Sequence, residues 1–278
     1  MSAVHVAFVA GATGYTGREV VRELRARGIE TIAHVRPDSL ALTRWRGEFE
    51  ALGARVDTTP WDEAAMRATF DAFRPTLVFA LIGTTRARAA RAAKSSARSA
   101  AVSAAPSAAI SAARSAAMFA ARSTEPDSYE TVDYALSSLL IRVAAAAVPA
   151  ARLVYLSAAG TRTGTRNPYL AVRVRVEREL VESGLAFTIA RPAFVSGSDR
   201  LESRPAERVG AIVGDAALAL LGALGARQFQ RRWSSITGTE LARGLVRTAL
   251  DPHAVSRTLT GEDLRSSQLS RSLTASAN

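Results

Sequence analysis

Short β-branched apolar runs alternate along the chain with longer stretches whose apolar side chains recur every three or four residues. Val4–Ala10 shows the first pattern and reads as a strand, and Thr16–Arg27 shows the second, with Val20, Val21 and Leu24 on one face of an amphipathic helix. Thr31–Val35, Arg55–Thr58 and Thr76–Ile82 repeat the strand pattern. Farther on, Tyr129–Ala147 reads as a helix carrying Val132, Leu136, Leu139, Leu140 and Val143, and Pro168–Ser183 as another, lying between strands Leu153–Leu156 and Ala186–Ala190. Continuous apolar strands separated by helices call for a parallel sheet covered on both faces, a doubly wound α/β (Rossmann) fold. Near the end, Thr239 is the expected N-cap of a helix over Glu240–Leu250 that Asp251-Pro252 terminates. Residues 266–278 are polar and serine-rich, as expected of a disordered tail.

Composition narrows the class. With 278 residues, 48% of them hydrophobic and 22% charged, the chain is globular in composition, and residues 1–265 are expected to form a single nucleotide-binding domain. There is no cysteine, which excludes disulfides, thiolate nucleophiles and sulfur-ligated metals. His5, His34 and His253 are scattered and give no metal-ligand spacing. The run Val209–Gly225 is interrupted by Asp215 and falls short of the roughly 20 residues that span a bilayer, so a buried helix and no membrane association are expected. Met1-Ser2-Ala3-Val4 leads directly into the first strand without the features of a secretion signal, which makes a cytoplasmic location the expectation.

The formal charge is +11, from 36 basic and 25 acidic residues. Its location changes its meaning. Segment 86–124 carries Arg86, Arg88, Arg91, Lys94, Arg98, Arg114 and Arg122 and no acid, leaving 29 basic against 25 acidic residues elsewhere. The same segment repeats serine every fourth residue from Ser99 to Ser115 between alanine pairs, and Pro106 interrupts it. A period of four drifts against the helical repeat of about 3.6 residues and builds no lasting apolar stripe. The segment reads as a loosely ordered, partly helical insertion. As a nucleic-acid arm it lacks interleaved aromatics, Phe119 being its only ring, so nucleic acid is not the expected partner.

The first strand runs into Gly11-Ala12-Thr13-Gly14-Tyr15-Thr16-Gly17, and a helix follows at once. Between a strand and a helix, glycines so spaced allow a tight turn, close approach of a pyrophosphate to the backbone, and close helix–strand packing, with the helix N-terminus facing the anion. The end of the second strand discriminates the two dinucleotides. There Arg36 stands where NAD-specific enzymes place a carboxylate, and Arg36 with Ser39 suits a 2′-phosphate. NADP(H) is therefore expected over NAD(H), with Asp38 close enough to keep NAD(H) open.

These residues resemble the atypical short-chain dehydrogenases, and within them the NmrA-like and Tat-interacting-protein-like NAD(P)-binding proteins. The likeness rests on Gly11–Gly17, on Val154-Tyr-Leu-Ser-Ala-Ala-Gly160, on Tyr169-Leu-Ala-Val-Arg173-Val-Arg-Val-Glu177 and on Ala190-Arg-Pro192, and it covers residues 3 to about 198 apart from the insertion. The resemblance implies a serine, tyrosine and lysine set, of which Ser157 and Tyr169 match while position 173 is Arg. Tyr169 would give its proton to a carbonyl as hydride arrives, and Ser157 would hydrogen-bond the same oxygen. Arg173 supplies charge and ribose hydrogen bonds but no proton relay. Asn167-Pro168 reads as N-cap and N1, which puts Tyr169 in the first turn of its helix. The chain's only lysine is Lys94, so arginine is its default cation. The same resemblance assigns Asp62 to the adenine, although an isolated acid there is commonly a helix N-cap. It also assigns Ile82 and Gly83 to the adenine ribose, and Pro192 and Phe194 to the nicotinamide side, and it puts Asp133 where relatives carry a structural asparagine.

Three functions follow. The first is an NAD(P)H-dependent oxidoreductase acting on a small carbonyl-type substrate held between the strand ends and a substrate-side region at about 195–240. The second is a redox-sensing regulator that binds NADP(H) and then a protein partner, without ordinary turnover. The third is a nucleic-acid-binding protein that uses segment 86–124.

Overall fold

Side chains of β1 (Val6–Ala10) alternate between two cores, Ala7 and Val9 entering one and Phe8 and Ala10 the other. This is the mark of a strand covered on both faces. The computed structural model describes residues 5–83, 128–193, 195–196 and 235–265. The insertion 86–124, Phe194, the apolar run Val209–Gly225 with most of the substrate-side region, and the tail 266–278 lie outside them.

After β1 come α1 (Tyr15–Ala26), β2 (Glu30–His34), α2 (Leu42–Ala51), β3 (Arg55–Asp57), α3 (Glu63–Phe73) and β4 (Leu77–Ala80). A wide π-helical turn, Tyr129–Tyr134, then leads into α4 (Ala135–Ala146), β5 (Arg152–Leu156), α5 (Pro168–Glu182) and β6 (Phe187–Arg191). The short β7 (Val195–Ser196) and β8 (Ile236–Thr237), α6 (Gly238–Leu250), β9 (Arg257–Thr260) and α7 (Gly261–Arg265) complete the described chain. The main sheet is parallel throughout, in the order β3-β2-β1-β4-β5-β6-β9. The doubly wound fold is as expected, and its strand order reverses between β1 and β4, where such folds open a crevice at the carboxyl ends of the strands.

Helices α1, α2 and α6 cover one face through Val20, Leu24, Trp45, Phe49, Leu241 and Leu245. Helices α3, α4 and α5 cover the other through Met66, Phe70, Leu140, Val143, Val176 and Leu180. Fully burying such side chains is worth about 1.5–3 kcal/mol each. Exposed ion pairs such as Arg67–Glu63 and Arg44–Glu48 are worth at most about 1 kcal/mol each, so the two apolar layers hold the fold.

The structure departs from the sequence expectations in four places. The segment over Tyr129–Ala147 opens with the π-helical turn, capped reciprocally by Ser128 and Thr131, before the α-helix begins. Helix α2 was not expected, and α3 was foreshadowed only by Asp62, which caps it. The final long helix starts earlier than expected: its N-cap is Thr237, not Thr239, because Thr237 and Glu240 form a capping box. A seventh strand, β9, extends the sheet beside β6, with Leu259 supplying its one buried side chain.

Candidate active site

Three glycines form the turn from β1 into α1, each for a steric reason. Gly11 has φ +83°, and a Cβ there would lie 2.6 Å from the Leu81 carbonyl oxygen. Gly14 donates its N–H to the Gly11 carbonyl at 3.0 Å and serves as the N-cap of α1 without a capping side chain. A Cβ on Gly17 would lie 2.1 Å from the Gly11 oxygen. The chain thus packs against itself so closely that the start of α1, with no acidic residue in its first turn, is left for an anion. Thr13 and Thr16 are half-buried beside it. The side chain of Tyr15 points elsewhere, its ring packing on Gly238 and its hydroxyl donating to the Ser196 carbonyl at 3.2 Å. Only the backbone of Tyr15 stays with the glycine turn.

At the end of β2, Arg36 is exposed, 3.8 Å from Asp38, and its carbonyl accepts the Ser39 N–H at 3.1 Å. A cation overlooked in the sequence, Arg18, lies in α1 with its guanidinium 5.7 Å from the Trp45 ring, and its buried Nε has no partner among the described residues. Asp62 accepts the Ala65 N–H at 3.1 Å through Oδ1 as N-cap of α3. Beside it, Trp61 meets the buried ring of His34 edge-on at 4.6 Å. Burial pushes the His34 pKa down, against the opposing pull of the Thr59 carbonyl and Asp57.

The second half of the site is a ladder on α5. Tyr169, Arg173 and Glu177 stand four residues apart and therefore share one face. Asn167 caps the helix through the Tyr169 and Leu170 N–H groups, and Pro168 occupies N1, so Tyr169 does lie in the first turn. Its ring is 5.4 Å from that of Tyr129 and 5.1 Å from the Arg173 guanidinium. No hydrogen bond engages its hydroxyl among the described residues.

Arg173 is buried. It donates to Tyr155 Oη at 2.9 Å, the Leu156 carbonyl at 2.8 Å, the Ile82 carbonyl at 3.3 Å and Asp133 Oδ1 at 2.7 Å. Burial works against its charge, but Tyr155, Tyr169 and Asp133 outweigh that and hold the guanidinium pKa above the ordinary arginine value. Burial likewise pushes the Tyr155 phenol up to about 12 against the pull of Arg173.

Ser157, buried just after β5, donates to Glu177 Oε1 at 2.5 Å and stands 3.3 Å from Thr161 Oγ1. Glu177 is paired in turn with Arg191 at the end of β6, through Nε at 2.9 Å and through Nη2. Pro192 is buried, and its carbonyl accepts the Ala159 N–H at 2.9 Å. Ile82 is buried and Gly83 exposed, and a Cβ on Gly83 would come within 2.9 Å of Arg173 Nη2.

The two halves connect: Gly11 rests on Leu81, and Arg173 grips the carbonyl of the next residue, Ile82. Glycine turn and α5 ladder therefore meet at the carboxyl ends of β1, β4 and β5. A dinucleotide suits this arrangement, since the glycine turn forms a backbone cradle at the start of α1, whose first turn carries no acid, and Arg173 Nε is a buried donor with no partner among the described residues. Tyr155, Glu177 and Arg18 went unrecognised in the sequence. Only Glu177 left a signal there, as the third member of a four-residue spacing.

Residues 7–248 match the profile of the NAD dependent epimerase/dehydratase family. The chain belongs to that family. Membership places it among the extended short-chain dehydrogenases and agrees with the superfamily likeness of its motifs. No curated protein sequence matches the chain. Among solved structures, it is similar to a Bacillus halodurans protein assigned to the NAD-dependent epimerases/dehydratases, at 18% identity and TM-score 0.55, over 91% of this chain and 92% of that one. The Bordetella bronchiseptica enzyme WbmH, solved in complex with NAD+, matches at 15% identity and TM-score 0.56, over 91% of this chain and 74% of that one. Leucoanthocyanidin reductase from Vitis vinifera, solved as a binary complex with NADPH, matches at 12% identity and TM-score 0.53, over 91% of this chain and 67% of that one. At such identities the likeness shows the fold alone. No described helix is long and apolar enough to cross a membrane.

Proposed function

We propose that this family member is an NAD(P)H-dependent oxidoreductase of the atypical, NmrA-like kind that reduces a small carbonyl-type substrate with Tyr169 as proton donor. The observation that supports this most is the position of Tyr169: first turn of α5, ring braced by Tyr129 and Arg173, hydroxyl without a hydrogen bond among the described residues, at the carboxyl end of the sheet where the glycine turn also lies. The nicotinamide supplies the hydride. The chain supplies the rest. Gly11–Gly17 and the start of α1 hold the pyrophosphate, Arg36 and Ser39 favour the 2′-phosphate of NADP(H), and Tyr169 delivers a proton to the oxygen that hydride addition leaves negative. Monitoring NADPH oxidation at 340 nm across a panel of aldehydes and ketones tests the reading. Carbonyl-dependent oxidation supports it, and its absence across the panel rejects it.

One observation favours the regulator as a second reading. Ser157 gives its proton to Glu177, and Arg173 spends four hydrogen bonds on the protein itself, so two of the three expected catalytic groups are engaged internally. That state suits a protein that binds NADP(H) and turns over slowly or not at all. The nucleic-acid reading rests on segment 86–124, outside the described residues.

A further inference from the structure

We propose that Asp133 is a positioning residue for the reaction, and that Asp133 and Arg173 act as a matched pair in place of the single lysine implied by the superfamily resemblance. The inference rests on the oxidoreductase reading above.

An ammonium is a point charge with three donors, whereas a guanidinium is a planar fork that reaches several acceptors at once. Arg173 uses both ends of that fork, with Nη1 reaching Tyr155 and the Leu156 carbonyl and Nη2 reaching Asp133 and the Ile82 carbonyl. The surroundings are shaped to it. Gly83 leaves room where a Cβ would stand 2.9 Å from Nη2, and the Tyr155 hydroxyl closes the other side. Charge makes the fit reciprocal. The two side chains are 5% and 0% exposed, and parting them leaves a buried guanidinium without its countercharge, which is far more costly than the pair.

The pair does more than close a gap in the core. The turn Tyr129–Tyr134 that carries Asp133 also carries Tyr129, so a single element supplies both the countercharge for Arg173 and a ring against Tyr169. With its far end fixed by Asp133, the guanidinium lies over the face of Tyr169 and ties together the ends of β4 and β5. Asp133 therefore acts on Tyr169 through Arg173. On this account arginine at position 173 is a functional replacement, and restoring lysine by itself is harmful.

The test compares the wild type with Arg173→Lys, Asp133→Asn and the double variant. Three quantities are read: the thermal midpoint, NADPH affinity by fluorescence, and kcat against KM for NADPH oxidation at a temperature where every variant is folded. Each single change is expected to lower the midpoint and to reduce kcat about tenfold or more, while the double variant loses no more than the worse of the two single variants, the non-additivity of contacting residues. If Arg173→Lys does not fold, Asp133→Glu, which keeps the countercharge, takes its place: a smaller loss than that of Asp133→Asn supports the pair, and an equal loss overturns it. Arg173→Lys alone equal to or better than wild type overturns the inference, as do additive losses in the double variant. Those results leave wild-type turnover intact and so strike the pairing alone. A wild type that oxidises NADPH with no carbonyl overturns the oxidoreductase reading and the positioning role with it, whatever the midpoints show.

Discussion

Ser157 donates its hydroxyl proton to Glu177 across 2.5 Å, and Glu177 is itself clasped by Arg191. A serine has one proton to give, and a carboxylate only accepts. Toward a ligand, Ser157 thus presents lone pairs, and donating to a developing alkoxide means surrendering a charge-assisted hydrogen bond. Removal of a working oxyanion donor costs about 10²–10³ in kcat. Ser157→Ala is expected to cost less than about tenfold here, against about 10²–10⁴ for loss of a general acid at Tyr169. A Ser157→Ala loss as large as that of Tyr169→Phe would show that the proton swings to the substrate.

Gly17→Ala puts a methyl group where the Gly11 carbonyl oxygen stands, 2.1 Å from the ideal Cβ. Backbone, not a flexible side chain, has to move. Overpacking of this kind costs about 1–3 kcal/mol, and each kcal/mol is worth about 2–4 °C in a domain of this size. Thermal melts should show that fall, and titration with NADPH should show binding weakened well beyond it, because the displaced oxygen belongs to the cradle. Unchanged affinity would remove the glycine turn from the cofactor site.

Arg36→Ala separates the two cofactors. A hydrogen bond to a charged group is worth about 1.5–3 kcal/mol, so NADPH affinity should drop roughly tenfold or more while NADH affinity stays within about twofold. Equal losses for both would assign Arg36 to a part of the cofactor that the two share.

Acid sensitivity has a named source in His34. Burial holds its pKa below the ordinary value, so the folded protein keeps the ring neutral while the unfolded chain takes up a proton below about pH 6.5. The unfolded state binds more protons there, and stability falls as pH drops through that range. Denaturant unfolding followed from pH 7.5 to pH 5 should show the decline, and His34→Gln should flatten it. An identical pH slope in the variant would place the acid sensitivity at another group.

The doubly wound sheet was legible because its strands are short, apolar and flanked by turn residues, and the glycine turn because its spacing has a steric cause. Tyr169 was legible through Asn167-Pro168, which fixes where its helix begins. The partnership of Arg173 was not. Its four acceptors come from β5, the residues just after β4 and the turn at 129–134, which the fold brings together from 17 to 91 residues away. Asp133 reads in sequence as one acid in a polar stretch, and only burial shows that it must be paired. β9 was missed for a similar reason: one buried side chain, Leu259, gives too little pattern to mark a strand. Asp62 was legible twice, once by likeness and once as a cap, and the structure shows the cap.

Carbonyl-dependent NADPH oxidation by the wild type and by Tyr169→Phe tests the central claim most directly. Turnover in the wild type that falls by about 10²–10⁴ in Tyr169→Phe, with NADPH affinity within about twofold of wild type, is the predicted result. Undiminished turnover in Tyr169→Phe, or none in the wild type, would contradict it.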